Sequence, residues 1–215
     1  MSWSGSSNSR RRTKVLPKDR RKARIEMDLD RIRDGVRMIL EGLGEDPGRD
    51  GLRETPERVA RAYAEICRGL EPGCMKPIRT LETANQDELI IVKDISFSSI
   101  CEHHLLPYIG RCDVVYIPSN DRIAGLSAIV ETVELMAARP TIQERLTTEI
   151  ADRLMAEINA KGVLVVMEAE HMCLAMRGVR KRDSRIVTSA MRGFLRRHET
   201  RSEALSLIGR TIPSR

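Results

Sequence analysis

Beyond residue 88 the sequence changes between two kinds of hydrophobic pattern, and their order constrains the fold more than any other feature. Two short apolar or β-branched runs come first, two helical patterns follow, and two more apolar runs end the series. This segregation predicts an α+β fold, an antiparallel sheet with helices on one face. The predicted strands cover residues 89–92, 112–117, 163–167 and 186–194, and the predicted helices cover 127–139 and 141–161.

The stretch before this series predicts a separate helical module. Residues 29–43 carry apolar side chains at helical spacing, and Asp28 is placed to cap the helix they form. A second helix is predicted to begin with Thr55 as N-cap and Pro56 as first helical residue, and to run to about residue 68. The pattern divides the chain into a tail (1–24), an N-terminal helical module (25–80) and a larger α+β domain (81–215).

The net charge of +6 belongs mainly to the N-terminal tail. Residues 1–24 carry nine Lys and Arg side chains and a single Asp, so the rest of the chain is close to neutral. So polar a segment cannot offset its ordering entropy by burial, and we expect it to be disordered. No aromatic residue interleaves its charges, which disfavours binding to nucleic acid.

Cysteine content and hydropathy indicate a compartment. No apolar run is long enough to cross a bilayer, and no apolar segment follows the basic N-terminal residues, as a secretory signal would require. The five cysteines are an odd number at irregular spacing, which disfavours a disulfide framework. We therefore expect a cytoplasmic protein whose thiols are free to bind metal.

Two clusters carry residues suited to metal binding and proton transfer. Cys101-Glu102-His103-His104 lies between the first two predicted strands, and His171-Met172-Cys173 follows the third. The spacing of Cys101 and His104 lets one loop supply two zinc ligands, and Cys173 could complete a Cys-His-Cys set with a fourth position open for water. The competing interpretation is that the thiols are small buried hydrophobes and the histidines polar core residues.

The motifs around these clusters resemble those of the GTP cyclohydrolase I family, from about residue 28 to the C-terminus. The resemblance implies a tunnelling fold (T-fold) that assembles into a toroidal homodecamer with active sites between subunits. It also implies conversion of GTP to formate and 7,8-dihydroneopterin triphosphate, at the head of folate and pterin synthesis. The motifs are CEHH (101–104), YIP (116–118), GLS (125–127), RP (139–140), QERLT (143–147), HMCLAMRGV (171–179) and VTSAMRG (187–193).

Carried over by position, the resemblance assigns roles within the catalytic domain. Water activated by zinc would add to C8 of guanine while a histidine protonates N7, and the opened ring would lose formate before the pterin closes. The implied zinc ligands are Cys101, His104 and Cys173; the implied acid–base pair is His103 and His171; the implied substrate contacts are Gln143 and Glu144 to guanine, Ser127 against the substrate, and Arg177 and Arg58 near the phosphates. Glu102 receives no role.

Glu144 has a second interpretation in the sequence itself. Thr141 and Glu144 have the spacing of a capping box, in which both would satisfy the first backbone N–H groups of the following helix. A carboxylate is also a bidentate acceptor for the N1–H and N2–H₂ groups of guanine. The resemblance favours the contact with guanine.

The sequence departs from the family pattern directly after Ser127. Where the family usually has Lys and, three residues later, Arg, this chain has Ala128 and Glu131. Losing a charge-assisted contact to a phosphate typically costs about 1.5–3 kcal/mol. Cations elsewhere could compensate, or the substrate could carry fewer phosphates. The candidates for compensation are Arg122, Arg139, Arg180, Lys181 and Arg182.

Three hypotheses about function follow. The first is a zinc-dependent GTP cyclohydrolase I. The second is a related cyclohydrolase that acts on a different or less phosphorylated purine nucleotide, or stops at the formamidopyrimidine. The third is a non-catalytic, zinc-stabilised assembly whose basic tail binds nucleic acid, which the presence of both His103 and His171 disfavours, because a structural zinc site needs neither.

Overall fold

The computed structural model describes residues 27–209, and the predicted tail lies outside this range. The predicted strands and helices occur within it in the predicted order, together with shorter strands and two helices that were not predicted. None of the helices in residues 27–209 is both long and apolar enough to cross a membrane. The elements are α1 (Leu29–Gly42), α2 (Thr55–Ile66), β1 (Thr80–Glu82), β2 (Ile90–Cys101), β3 (Pro107–Ile117), β4 (Arg122–Ala124), α3 (Leu126–Ala137), β5 (Pro140–Thr141), α4 (Gln143–Glu157), β6 (Gly162–His171), α5 (Met172–Ala175), β7 (Arg185–Gly193) and α6 (His198–Leu207).

The main sheet has the strand order β5-β2-β3-β6-β7. All neighbours pair antiparallel except β2 and β5, which pair in parallel through Cys101 and Thr141. The predicted α+β class is therefore confirmed. The strands are longer than predicted at the ends that carry the two clusters, since β2 continues to Cys101 and β6 to His171.

The helices α3 and α4 cover one face of this sheet. Alternate residues of β3 and β6 point to that face, as the period of two in a strand requires, and they pack against the apolar side of α4. Leu146, Ile150 and Leu154 of α4 are fully buried there. Burial of each such side chain contributes about 1.5–3 kcal/mol, so this layer holds the sheet in place.

The opposite face is covered at one end by α6, which the sequence pattern did not predict. Val115, Leu164 and Val166 point to that side and pack against Leu195 and Ala204. The cover extends only over the far ends of β3 and β6, so the end of the sheet beside the two clusters remains open on this face.

The N-terminal module is a pair of helices that contact each other. The predicted cap of α1 is confirmed, because the Asp28 carboxylate accepts a hydrogen bond from the Arg31 N–H at 3.0 Å. The predicted cap of α2 is wrong: Thr55 is its first residue, and Glu54 precedes it without a side-chain cap. The backbone of Glu54 already has helical dihedral angles and accepts a hydrogen bond from the Arg58 N–H, so no side-chain cap forms. The division at residue 80 stays a prediction.

Candidate metal centre and active site

A tight turn between β2 and β3 presents the first cluster. The N–H groups of His104 and Leu105 both donate to the carbonyl oxygen of Cys101, and the Cys101 N–H donates to that of Leu106. The turn requires a left-handed backbone at Leu105, whose φ is 53°. It places Cys101 Sγ 3.7 Å from His104 Nδ1.

Cys173 completes a group of three metal-ligand side chains. It lies on the short helix α5, which follows β6, and its sulfur lies within 4.8 Å of the ligand atoms of Cys101 and His104. Zinc bound tetrahedrally by sulfur at about 2.3 Å and nitrogen at about 2.0 Å would separate two such atoms by about 3.6 Å. The observed separation of Cys101 Sγ and His104 Nδ1 matches this spacing, so the residues fit a zinc ion.

The thiols of Cys101 and Cys173 lie so close together that the first disfavours a thiolate at the second, and a bound cation would remove this effect. Burial raises the pKa of the Cys173 thiol, and the neighbouring Cys101 raises it further. A divalent metal reverses this preference, because it binds the thiolate and deprotonates the ligand. Arg177, four residues beyond Cys173, acts in the same direction and lowers the pKa of that thiol.

The register of the sheet brings His171 to the same end. His171 is the last residue of β6 and pairs with Tyr108 at the beginning of β3. The two rings are stacked, with centroids 4.5 Å apart and planes 3° apart. Burial lowers the pKa of His171, and the carboxylate of Glu144 offsets part of this effect. The nearby Glu144 shows that the beginning of α4 faces this end of the sheet.

Tyr108 supports the imidazole from a fully buried position. Its other ring contact is edge-to-face with Phe97, at 6.0 Å. Burial raises the pKa of Tyr108 to about 12, and the side chain of Ser99 offsets part of this effect. The Ser99 hydroxyl donates to the carbonyl oxygen of Arg139, and the Tyr108 hydroxyl has no hydrogen-bond partner of good geometry in residues 27–209.

His103 and Glu102, the remaining members of the first cluster, are respectively exposed and partly buried. The side chain of His103 is 65% exposed, and its Nε2 lies 3.9 Å from a carboxylate oxygen of Glu102. Glu102 accepts two hydrogen bonds from Arg145 of α4, at 2.6 and 3.2 Å. The sequence left Glu102 without a role, and the structure shows that it ties the β2–β3 turn to the beginning of α4.

Gln143 and Glu144, to which the resemblance assigns the same guanine contact, have different surroundings at the beginning of α4. The capping-box interpretation is wrong, because Thr141 is held in β5 beside Cys101 and the N-cap of α4 is Ile142. The carboxylate of Glu144 is consequently exposed and not used by the helix. Gln143, in contrast, is buried, and its side-chain amide contacts His171 at 2.8 Å.

Ser127, Ala128 and Glu131 lie at the other end of the sheet. They follow Ala124, whose N–H donates to the hydroxyl of Tyr116 near the far end of β3. Tyr116 is eight residues beyond Tyr108, or about 27 Å along an extended strand. A Ser127 side chain of the same chain is therefore too distant to share one small substrate with the Cys-His-Cys group.

The candidate cations differ in whether they form ion pairs within the chain. Arg122 and Arg139 are engaged within the chain, with Glu82 and Glu149 respectively. The loop after α5 carries cations that are exposed and form no ion pair within the described residues; these are Arg177, Arg180, Lys181 and Arg182. Arg58 is also exposed and pairs with Glu54 on its own helix.

Fold and site together define a class, an α+β protein with a Cys-His-Cys group suited to a metal ion beside two further histidines. The chain belongs to the GTP cyclohydrolase I family, whose sequence model matches residues 32–209. It is therefore a hydrolase, and its order of strands and helices is that of the predicted T-fold.

Individual relatives agree with this assignment. A protein of Carboxydothermus hydrogenoformans named GTP cyclohydrolase 1 is 50% identical over 190 residues, covering 88% of this chain and 99% of the relative. One of Streptomyces avermitilis with the same name is 52% identical over 184 residues, covering 85% and 92%. Among solved structures, an archaeosine synthase QueF-like protein matches with a TM-score of 0.40 and 17% identity, over 49% of this chain and 93% of that one. The assignment rests on the sequence relatives.

Proposed function

We propose that the chain is a zinc-dependent GTP cyclohydrolase I, which opens the imidazole ring of GTP at C8 and yields formate and 7,8-dihydroneopterin triphosphate. The observation that carries the proposal is the convergence of Cys101, His104 and Cys173 beside two further histidines in a member of this family. A zinc ion held by these three side chains would supply an activated water of lowered pKa. Two free thiols as ligands favour a reducing compartment, the cytoplasm.

The side chains around the metal group are proposed to transfer protons and to bind guanine. His103 and His171 are proposed to carry protons to and from the substrate, since imidazole is the usual proton carrier near neutral pH. The exposed carboxylate of Glu144 is proposed to accept the N1–H and N2–H₂ groups of guanine as a bidentate partner. Glu144 lies near His171, which supports this assignment, because guanine bound there would lie beside the proposed proton carrier.

The active site is proposed to form between copies of the chain, in a homo-oligomer that the resemblance gives as a decamer. The distance of Ser127 from the metal group supports this, because only a second copy could bring that residue to the same substrate. Exposed apolar side chains at the end of α1 and its C-cap also support an interface with a second copy; these are Met38, Ile39 and Leu43. In residues 27–209 no strand pairs with the outer edge of β7.

The triphosphate is proposed to bind the cationic loop after α5. Arg177 lies near Cys173 and lowers the pKa of its thiol, which places this loop beside the metal group. Arg180 and Lys181 continue the loop, and Arg guanidinium groups suit bidentate binding of phosphate. These cations can compensate for Ala128 and Glu131, and Arg58 is proposed to add a contact near the phosphates.

The proposal is tested by product analysis with GTP. Purified protein loaded with zinc should release formate and form a pterin triphosphate, which mass spectrometry identifies. Cys101→Ser should lose zinc and activity together, because a neutral hydroxyl is a poor zinc ligand. Cys74→Ser is the matched control, since Cys74 lies outside the metal group and its thiol donates a hydrogen bond to the carbonyl oxygen of Gly69, which serine can also make. Zinc-loaded protein without any product would refute the proposal.

A second candidate, action on a less phosphorylated purine nucleotide, is favoured by the charge of α3. Glu131 lies one turn after Ser127 on the same side of the helix, is exposed, and forms no ion pair among the described residues. A phosphate chain beside Ser127 would meet a carboxylate there. Comparing kcat/KM for GTP, GDP and GMP decides between the candidates, and Glu131→Arg should raise the preference for GTP. Mass spectrometry also shows whether the reaction stops at the formamidopyrimidine.

A further inference from the structure

The orientation of the Gln143 side chain is fixed by its surroundings. The side chain is 1% exposed, and its Nε2 lies 3.1 Å from the carbonyl oxygen of Met167 and 3.0 Å from that of Ile186. A carbonyl oxygen accepts hydrogen bonds and cannot donate them, so the amide end that faces these two strands must be the nitrogen. The hydroxyl of Thr188, 3.1 Å from the same nitrogen, is a third neighbour.

The fixed amide in turn selects one tautomer of His171. With its nitrogen facing the strands, Gln143 presents Oε1 to the Nε2 atom of His171, at 2.8 Å. An amide oxygen only accepts, so His171 Nε2 must carry the hydrogen. In the neutral imidazole the remaining nitrogen, Nδ1, then holds the free lone pair.

The plane of the imidazole is fixed as well. Tyr108 stacks on the ring of His171 with the two planes 3° apart, and Tyr108 is itself held by its edge contact with Phe97. One neighbour therefore holds the edge of the imidazole and another holds its face. This is the arrangement expected of a group that must offer one particular nitrogen to a reacting partner.

We infer that Gln143 is a positioning residue that holds His171 in the Nε2–H tautomer, so that Nδ1 exchanges protons with the substrate. The inference rests on the proposed function, in which His171 is a proton carrier. It gives Gln143 a role other than the guanine contact that the resemblance implies. Both hydrogens of its amide already have acceptors inside the protein, so the side chain has no donor left for a substrate.

Steady-state kinetics of two substitutions test this role. Gln143→Met keeps the side-chain volume but removes the acceptor, so we expect kcat for GTP to fall about 10- to 100-fold while KM changes less than about threefold. Gln143→Glu restores an acceptor for Nε2–H, although its carboxylate faces the carbonyl oxygens of Met167 and Ile186. We therefore expect Gln143→Glu to be less stable than Gln143→Met and yet to retain the higher kcat.

The control variant changes the same buried network without touching His171. The Thr147 hydroxyl bonds the Gln143 carbonyl oxygen and the Thr188 hydroxyl, at 2.7 and 2.6 Å. Thr147→Val should lower stability and leave kcat within about twofold. If kcat falls in parallel with stability across all three variants, Gln143 has only a structural role. If Gln143→Met raises KM and leaves kcat unchanged, the guanine contact is supported instead.

A spectroscopic measurement separates this inference from the proposed function. Nitrogen-15 NMR of histidine-labelled protein reports which ring nitrogen is protonated, and His171→Asn identifies the signal. We expect protonated Nε2 in the wild type and a mixture of tautomers in Gln143→Met. Protonated Nδ1 in the wild type would overturn the inference whatever the enzyme does with GTP. Protonated Nε2 in a protein that leaves GTP unchanged would support the tautomer set by Gln143 and refute the proposed function, and with it the proton exchange at Nδ1.

Discussion

Replacing Tyr108 by leucine tests whether the stacked ring supports His171 as well as the core. Tyr108 is fully buried between His171 and Phe97 at the metal end of the sheet. Leucine keeps an apolar side chain at this position but removes both ring contacts. We expect the substitution to lower both the free energy of unfolding and kcat.

The size of the stability change can be worked from the contacts. Aromatic pairs contribute about 0.5–1.5 kcal/mol each beyond burial, so losing two costs about 1–3 kcal/mol. The smaller side chain leaves a partial cavity, which costs about 1–2 kcal/mol. Removing a buried hydroxyl that lacks a good hydrogen-bond partner in the described chain returns about 1 kcal/mol. The net expectation for Tyr108→Leu is a loss of about 2 kcal/mol.

The matched control is Phe97→Leu, which removes only the contact on the far side of Tyr108. It should cost about the same in urea unfolding, because Phe97 is also buried in the core. Its kcat should stay within about twofold of the wild type, whereas Tyr108→Leu should lower kcat at least about tenfold through a displaced imidazole. Equal kcat values for the two variants, at equal loss of stability, would refute the supporting role of Tyr108.

Three further predictions concern the metal end of the sheet. Cys173→Ser should lose zinc by metal analysis and at least about 100-fold of activity; retained zinc would contradict the ligand set. Glu102→Ala frees Arg145 and should weaken zinc about tenfold in chelator competition, and unchanged affinity would show that the ion pair does not hold the turn. Gly110→Ala places Cβ 2.0 Å from the carbonyl oxygen of Glu168, so unfolding should show at least about 2 kcal/mol lost.

The fold could be predicted where hydrophobic periodicity is uninterrupted. The α4 helix repeats apolar residues every turn, and the centres of β3 and β6 are continuous apolar runs, so their types and order follow from the sequence.

The length of β2 could not be predicted from the sequence pattern. A bulge between Val92 and Ile95 shifts the alternation, and alternate residues beyond it, Ser96 and Ser98, face an uncovered side of the sheet that tolerates polar side chains.

The site could be predicted in its residue types and only partly in its contacts. The spacing of Cys101 and His104 sufficed because a single turn holds both. The contact of Gln143 with His171 depends on how α4 approaches β6, and the stack of Tyr108 depends on the register of β3 against β6. Neither geometry is contained in local spacing, although the alternation of Cys112 and Val114, continued toward the N-terminus in steps of two, puts Tyr108 on the same inward face.

Cys101, His104 and Cys173 are proposed to hold the zinc that GTP ring opening requires. Formate release from GTP by metal-free protein, measured as zinc is added back, tests this proposal. We expect no release at the outset, a rise with added zinc, and a plateau at about one zinc per chain. Full activity in protein shown to be free of metal, or no formate at a full complement of zinc, would refute the proposal.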